Sequence, residues 1–180
     1  MIYSYFMALK KILTEPNKVL RQKSLPVEKV DGDLQKLMDD MLETMYAAPG
    51  IGLAAIQVGV PKRVIVLDIA PKDEPKNPMY FINPEIIEKA ESNSTYEEGC
   101  LSVPGQFAEI DRPSKCHVKY LDYYGQPKEL KAEGMLATCI QHEMDHLEGI
   151  LFIDYLSKLK RSMIVKKLSK QKKELERIIV

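Results

Sequence analysis

Two histidines four residues apart with a glutamate between them, in His142-Glu143-Met144-Asp145-His146, are the side chains of this sequence best suited to chemistry. On a helix, such a pair lies roughly 6 Å apart along the axis and about 40° apart around it, so both imidazoles can reach one cation. Glu143 is turned about 100° from His142. That angle makes it a poor third ligand but a good neighbour for water beside the cation, where hydrolysis needs a base. Only three histidines occur in the chain and two fall here, flanked by the helix-compatible Met135, Leu136, Ala137, Ile140 and Leu147. The pattern predicts a metallohydrolase; the competing reading is a buried, hydrogen-bonded histidine pair.

A hydrolytic site of the zinc type takes three protein ligands and keeps one position open. In the protease pattern His-Glu-x-x-His-x-x-Gly-x-x-His the third is a histidine; Gly149 agrees, but position 152 is Phe. Proteases that use a later glutamate are equally disfavoured, because Asp154 is the sole acid between Gly149 and Gln171. Cysteine remains. Cys139 shares the motif helix with His146 but lies about 10 Å along its axis, which makes it a wall of the site rather than a ligand. Cys116 precedes His117 in an alternating strand, where neighbours face opposite sides, and this favours a packed thiol. Cys100 lies in Glu97-Glu98-Gly99-Cys100-Leu101-Ser102-Val103-Pro104-Gly105, whose glycines and proline could aim a thiolate inward. Spacing favours Cys100 and leaves Cys116 as the alternative.

The elements that must hold these groups follow from the hydrophobic pattern. Asp33 is expected to cap a helix in which Leu34, Leu37, Met38, Met41, Leu42 and Met45 recur at helical spacing until Pro49-Gly50. Strands are expected over Arg63 to Ile69, Met79 to Ile82, Glu85 to Ala90, Cys116 to Asp122 and Lys128 to Ala132, the last two joined by a turn at Tyr124 to Pro127. Gly134 opens the motif helix, Ile150 to Tyr155 is a short apolar link, and Ser157 caps a long terminal helix. Helix, strands, helix, helix, with no βα alternation, predicts an α+β fold of mainly antiparallel or mixed short-stranded sheets wrapped around a buried motif helix. Residues 1–156 are expected to form a single catalytic domain, with residues 157–180 a basic C-terminal helix appended to it.

Lys plus Arg and Asp plus Glu each total 26, so overall charge argues for neither nucleic acid nor an acidic membrane as the main partner. The last 24 residues depart from this, with nine basic side chains against Glu174 and Glu176. Three cysteines give no disulfide framework, which points to the cytoplasm. No apolar run approaches the length of a membrane span. Met1 to Met7 is apolar but lacks the basic start of a signal peptide, and Met7 is an alternative first residue.

Three segments together, Gly50-Ile51-Gly52-Leu53-Ala54-Ala55-Ile56-Gln57, Glu98-Gly99-Cys100-Leu101-Ser102 and Gln141-His142-Glu143-Met144-Asp145-His146-Leu147-Glu148-Gly149, resemble the peptide deformylases in order and spacing. The resemblance runs from about Leu9 to the terminal helix. It implies a metallohydrolase that removes the N-formyl group from the initiator methionine of nascent polypeptides and releases formate. It further implies one divalent cation on Cys100, His142 and His146, with Fe2+ in the cell and Zn2+, Ni2+ or Co2+ possible in purified protein. Glu143 would be the base, and the Gln57 side-chain amide and Leu101 backbone N–H would donate to the oxyanion. The substrate would meet Gly50, Ile51, Gly52, Met135, Thr138 and Cys139, and Glu98 with Arg112 would support the metal loop. N-formyl-methionyl nascent peptides are the implied partners, with the ribosome a further one through the basic helix, and no membrane or sequence-specific nucleic acid. The location would be the bacterial cytoplasm or an organelle of that origin. Gly105-Gln106-Phe107 departs from the Glu-Gln-Arg of some members, which puts any substrate contact by that arginine in doubt here.

Overall fold

The structure, a computed structural model, describes residues 8–178; the reading of Met1 to Met7 lies outside them. It is an α+β fold. Helix α1 spans Gly32–Ala47, and seven strands follow: β1 Gly52–Ala54, β2 Val64–Leu67, β3 Met79–Lys89, β4 Asn93–Cys100, β5 Val103–Pro113, β6 Lys115–Leu121 and β7 Pro127–Glu133. Helix α2, Gly134–Leu147, carries the histidines, and after a 3₁₀ turn at Phe152–Tyr155 helix α3 occupies Lys158–Ile178. None of the described helices is long and apolar enough to cross a membrane.

Five strands form one antiparallel sheet in the order β1-β2-β3-β6-β7, and β4 pairs with β5 as a separate antiparallel hairpin. Side chains alternate across a strand, so β2 feeds two cores at once. Val64 and Val66 pack with Leu34, Met38, Met41 and Met45 of α1. Ile65 and Leu67 join Ala137, Ile140 and Leu147 of α2 with Phe81 and Val118 on the opposite face. Nine of the fourteen residues of α2 are buried, because the hairpin covers the side that the large sheet leaves open. A third cluster ties Val103 and Ile110 of β5 to Leu151, Phe152, Ile153 and Leu168, so α3 is anchored to the body through one apolar face.

Several elements differ from the sequence reading. The cap of α1 is Asp31, whose carboxylate accepts the Leu34 N–H at 3.0 Å, while Asp33 lies inside the first turn. The expected strands on either side of Asn83-Pro84 are one strand, β3, with its register shifted between Ile82 and Glu85. Pro84 has no N–H to give the ladder, and Asn83, at φ 50°, turns its side chain outward to bond both the N–H and C=O of Val27. Strands β4 and β5 were not anticipated. The terminal helix begins where expected, with the Lys160 N–H 3.3 Å from the Ser157 hydroxyl.

Just past α2 the chain reverses through Gly149 in the left-handed region, φ 73°, and its N–H reaches the His146 carbonyl. A Cβ added there would stand 2.5 Å from the Arg21 carbonyl oxygen, a backbone atom that cannot swing aside. Left-handed backbone costs a non-glycine residue about 1–2 kcal/mol before any clash. Gly149→Ala is therefore predicted to lower stability by more than about 2 kcal/mol. Urea unfolding tests this; a loss below half that value would mean that the Arg21 segment yields.

Candidate metal centre and active site

Helix α2 delivers the two histidines and the hairpin delivers the thiol. One ligand atom from each of Cys100, His142 and His146 lies within 4.8 Å of the others, a group suited to a metal ion. Cys100 ends β4, where the ladder shifts register before a two-residue turn at Leu101-Ser102, and this break swings its Sγ to 3.3 Å from His146 Nε2. The imidazole rings stand at 74° with centroids 5.1 Å apart. Glu98 Oε2 accepts from His142 Nδ1 at 2.8 Å, which fixes the tautomer and leaves Nε2 as the nitrogen available to a cation. Buried histidines and a thiol converging without a carboxylate partner for His146, whose Nδ1 has none among the described residues, form a donor set suited to a soft or borderline divalent cation.

The other two cysteines lie elsewhere. Cys116 is buried in the core beneath the large sheet, where desolvation pushes its thiol above the ordinary range. The alternative ligand is thus absent from the cluster. Cys139 lines the cavity, and burial followed by the nearby Glu143 charge pushes its thiol up to about 12, so it stays protonated.

A cavity of about 500 Å³ opens in front of these ligands. Gly50, Ile51 and Gly52 form one side, Met135, Thr138 and Cys139 another, and Gln57, Glu98, Cys100, Leu101, His142 and Glu143 also contribute. His146 and Arg112 are buried behind this lining, 1% and 3% exposed. Glu143 has one carboxylate oxygen with no partner among the described residues, and burial pushes its carboxyl up to about 7 against the opposing pull of His142. A carboxyl titrating there can both accept and return a proton near neutrality. The Gln57 amide is held the right way round for donation: its oxygen accepts the Ala54 N–H at 2.8 Å, and its nitrogen donates to Ser102 Oγ at 3.0 Å and approaches Cys100 Sγ at 3.6 Å.

Gly52 has a role that spacing did not reveal. A Cβ there would fall 2.5 Å from Glu143 Oε1 and 2.8 Å from Leu67 Cδ2, so the missing side chain is what lets Glu143 reach the cavity. Behind the wall, Arg112 Nε and Nη2 bond both oxygens of Glu98 at 2.5 and 3.0 Å. Burial pushes the Glu98 carboxyl up, yet its bonds to His142 and Arg112 outweigh that and hold it below the usual range. Ser102, Phe107 and Asp145 stand in segments that the sequence singles out, but it assigns them no role. Ser102 ends the thiol motif, and Phe107 lies at the cavity with its ring across Gly99, where a Cβ would come 2.5 Å from it. Asp145 occupied a position that the histidine pattern leaves free.

Residues 9–162 match the family described as Polypeptide deformylase. The chain belongs to the peptide deformylase family. A peptide deformylase of Pelagibacter ubique is 68% identical over 174 residues, covering 97% of this chain and all of that relative. A crystal structure of the Ehrlichia chaffeensis peptide deformylase in complex with actinonin superposes with a TM-score of 0.88 at 47% identity, covering 92% of this chain and 98% of that one. The Met-Ala-Ser-bound deformylase of Acinetobacter baumannii gives a TM-score of 0.78 at 35% identity, over 83% of this chain and 99% of that one. As a member of this family the chain is a metal-dependent hydrolase that removes the formyl group from nascent peptides.

Proposed function

We propose that Cys100, His142 and His146 hold one divalent cation, Fe2+ in the cell, and that Glu143, Gln57 and the Leu101 N–H carry out the hydrolysis around it. The convergence of the three ligand atoms within 4.8 Å beside a cavity that Glu143 and Gln57 also line is the observation that carries this reading. A bound cation would supply Lewis acidity, polarising the formyl group and making water more acidic. Glu143 takes the proton of the attacking water and returns it to the amine nitrogen as the C–N bond breaks, so that formate and a free N-terminus leave. Gln57 Nε2 and the Leu101 N–H donate to the oxyanion, each such donor being worth about 3 kcal/mol of barrier. Ile51, Met135, Thr138 and Cys139 receive the methionine side chain, and Gly50 and Gly52 offer the backbone beside which the peptide lies. Glu98 and Arg112 orient His142. Formate release from formyl-Met-Ala-Ser, measured anaerobically with Fe2+ or Ni2+, tests the reading; metal-loaded protein that releases none would sink it.

Residues 1–156 act as the catalytic domain and 157–180 as its basic appendix, in the cytoplasm. The exposed lysines of α3, among them Lys160, Lys166, Lys170 and Lys173, suit the phosphates of ribosomal RNA. Because Leu168 packs into the body, deletion of the helix would mix charge with packing. Replacing those four lysines by glutamine is predicted to weaken ribosome association by about 10-fold or more at low salt and to leave turnover of a free formyl peptide unchanged. Sedimentation with ribosomes at two salt concentrations checks this; unchanged binding would remove the charged helix from the docking surface.

A further inference from the structure

One carboxylate connects the metal ligands to the root of the terminal helix. Asp145 Oδ2 accepts from Arg112 Nη1 at 2.8 Å and from the Tyr155 hydroxyl at 2.8 Å. The remaining nitrogens of that guanidinium grip Glu98, and Glu98 holds His142 Nδ1 at 2.8 Å. The Tyr155 ring caps the same guanidinium, with the Arg112 carbon 5.0 Å from the ring centroid. A continuous line of contacts therefore runs from a half-exposed tyrosine in the turn before α3 to the imidazole of a ligand.

Asp145 does not serve its own helix. It lies in the last turn of α2, where the helix dipole disfavours a negative charge. The buried guanidinium supplies the compensation, and Arg112, from β5, is clamped between carboxylates from β4 and α2. A planar fork held on both sides has one orientation, and it passes that orientation to Glu98 and so to the His142 ring.

We propose that Asp145 and Tyr155 are positioning residues of the metal centre, acting on His142 through Arg112 and Glu98. The proposal rests on the reading of His142 as a ligand. Full-length protein loaded with Co2+ reports on it through the visible absorption of the ion, including its thiolate charge-transfer band, and through Co2+ affinity measured by chelator competition.

Asp145→Asn is expected to weaken Co2+ affinity about 10-fold and to shift the ligand-field bands. Tyr155→Phe keeps the ring over Arg112, loses the hydroxyl bond, and is expected to produce a smaller change in the same direction. Met38→Ala, in the α1 core whose cluster contains none of the three ligands, serves as the control, lowering the unfolding midpoint without altering the spectrum. If Asp145→Asn behaves like Met38→Ala, with the midpoint lowered but spectrum and affinity at wild-type values, the contacts merely brace the fold and the proposal fails. A wild-type protein with no thiolate band would instead overturn the ligand reading, and the proposal with it.

Discussion

Replacing Glu143 with glutamine is expected to cut formate release about 10³-fold while leaving cation binding close to wild type. The carboxyl contributes no atom to the Cys100, His142 and His146 cluster, so its loss should spare the ligands. Its proposed contribution is a proton carried first from water and then to the leaving amine, and an amide can do neither. Glutamine preserves volume, which matters because the Glu143 side chain fills the space that a Cβ on Gly52 would need. Stoichiometric Co2+ or Ni2+ binding, formate release and the unfolding midpoint should be measured on the same preparation. Substantial activity in a metal-loaded Glu143→Gln protein would mean that the proton moves by another route. Loss of metal together with activity would instead make Glu143 part of the binding site.

Arg112→Met is expected to be the most destabilising single change near the site, costing about 3–5 kcal/mol. The guanidinium is 3% exposed and neutralises Glu98, which is 6% exposed. Methionine fills much of the same space but leaves the Glu98 carboxylate buried with the His142 imidazole and no fixed cation. Removal of one member of a buried pair is costly because the survivor cannot regain water. Glu98 is also the group that holds the His142 ring, so metal affinity should fall about 10- to 100-fold. Denaturant unfolding and metal competition read these two effects separately. A double replacement, Glu98→Leu with Arg112→Met, should recover part of the stability and none of the affinity. Full recovery of both would show that the pair has no part in orienting His142.

The elements that sequence periodicity identified were those with one-sided apolar patterns. The face of α1, the apolar run of β2 and the motif helix all advertise burial, and each lies within a few residues of its expected bounds. The hairpin was not legible. Asn93-Ser-Thr-Tyr-Glu-Glu-Gly-Cys100 is mostly polar and exposed along one side, and what makes it a strand is pairing with β5 rather than a pattern of its own. That same hairpin carries Cys100 and Glu98 and backs them with Arg112. Local pattern therefore found the two histidines of the cluster more securely than its thiol.

By itself the sequence determined that two imidazoles and a carboxylate share a helix, since that geometry depends only on a four-residue interval and a regular backbone. It also determined that the helix would be buried, through the apolar residues around it. Only the tertiary structure decided which of three thiols joins the pair, because Cys100 and His146 are 46 residues apart and meet through the register of a hairpin that has no local signature. The approach of Gly52 to Glu143, and the chain from Tyr155 through Asp145, Arg112 and Glu98 to His142, were decided in the same way. Each is a contact between elements distant in sequence, and its distance is set by how two sheets close on one helix.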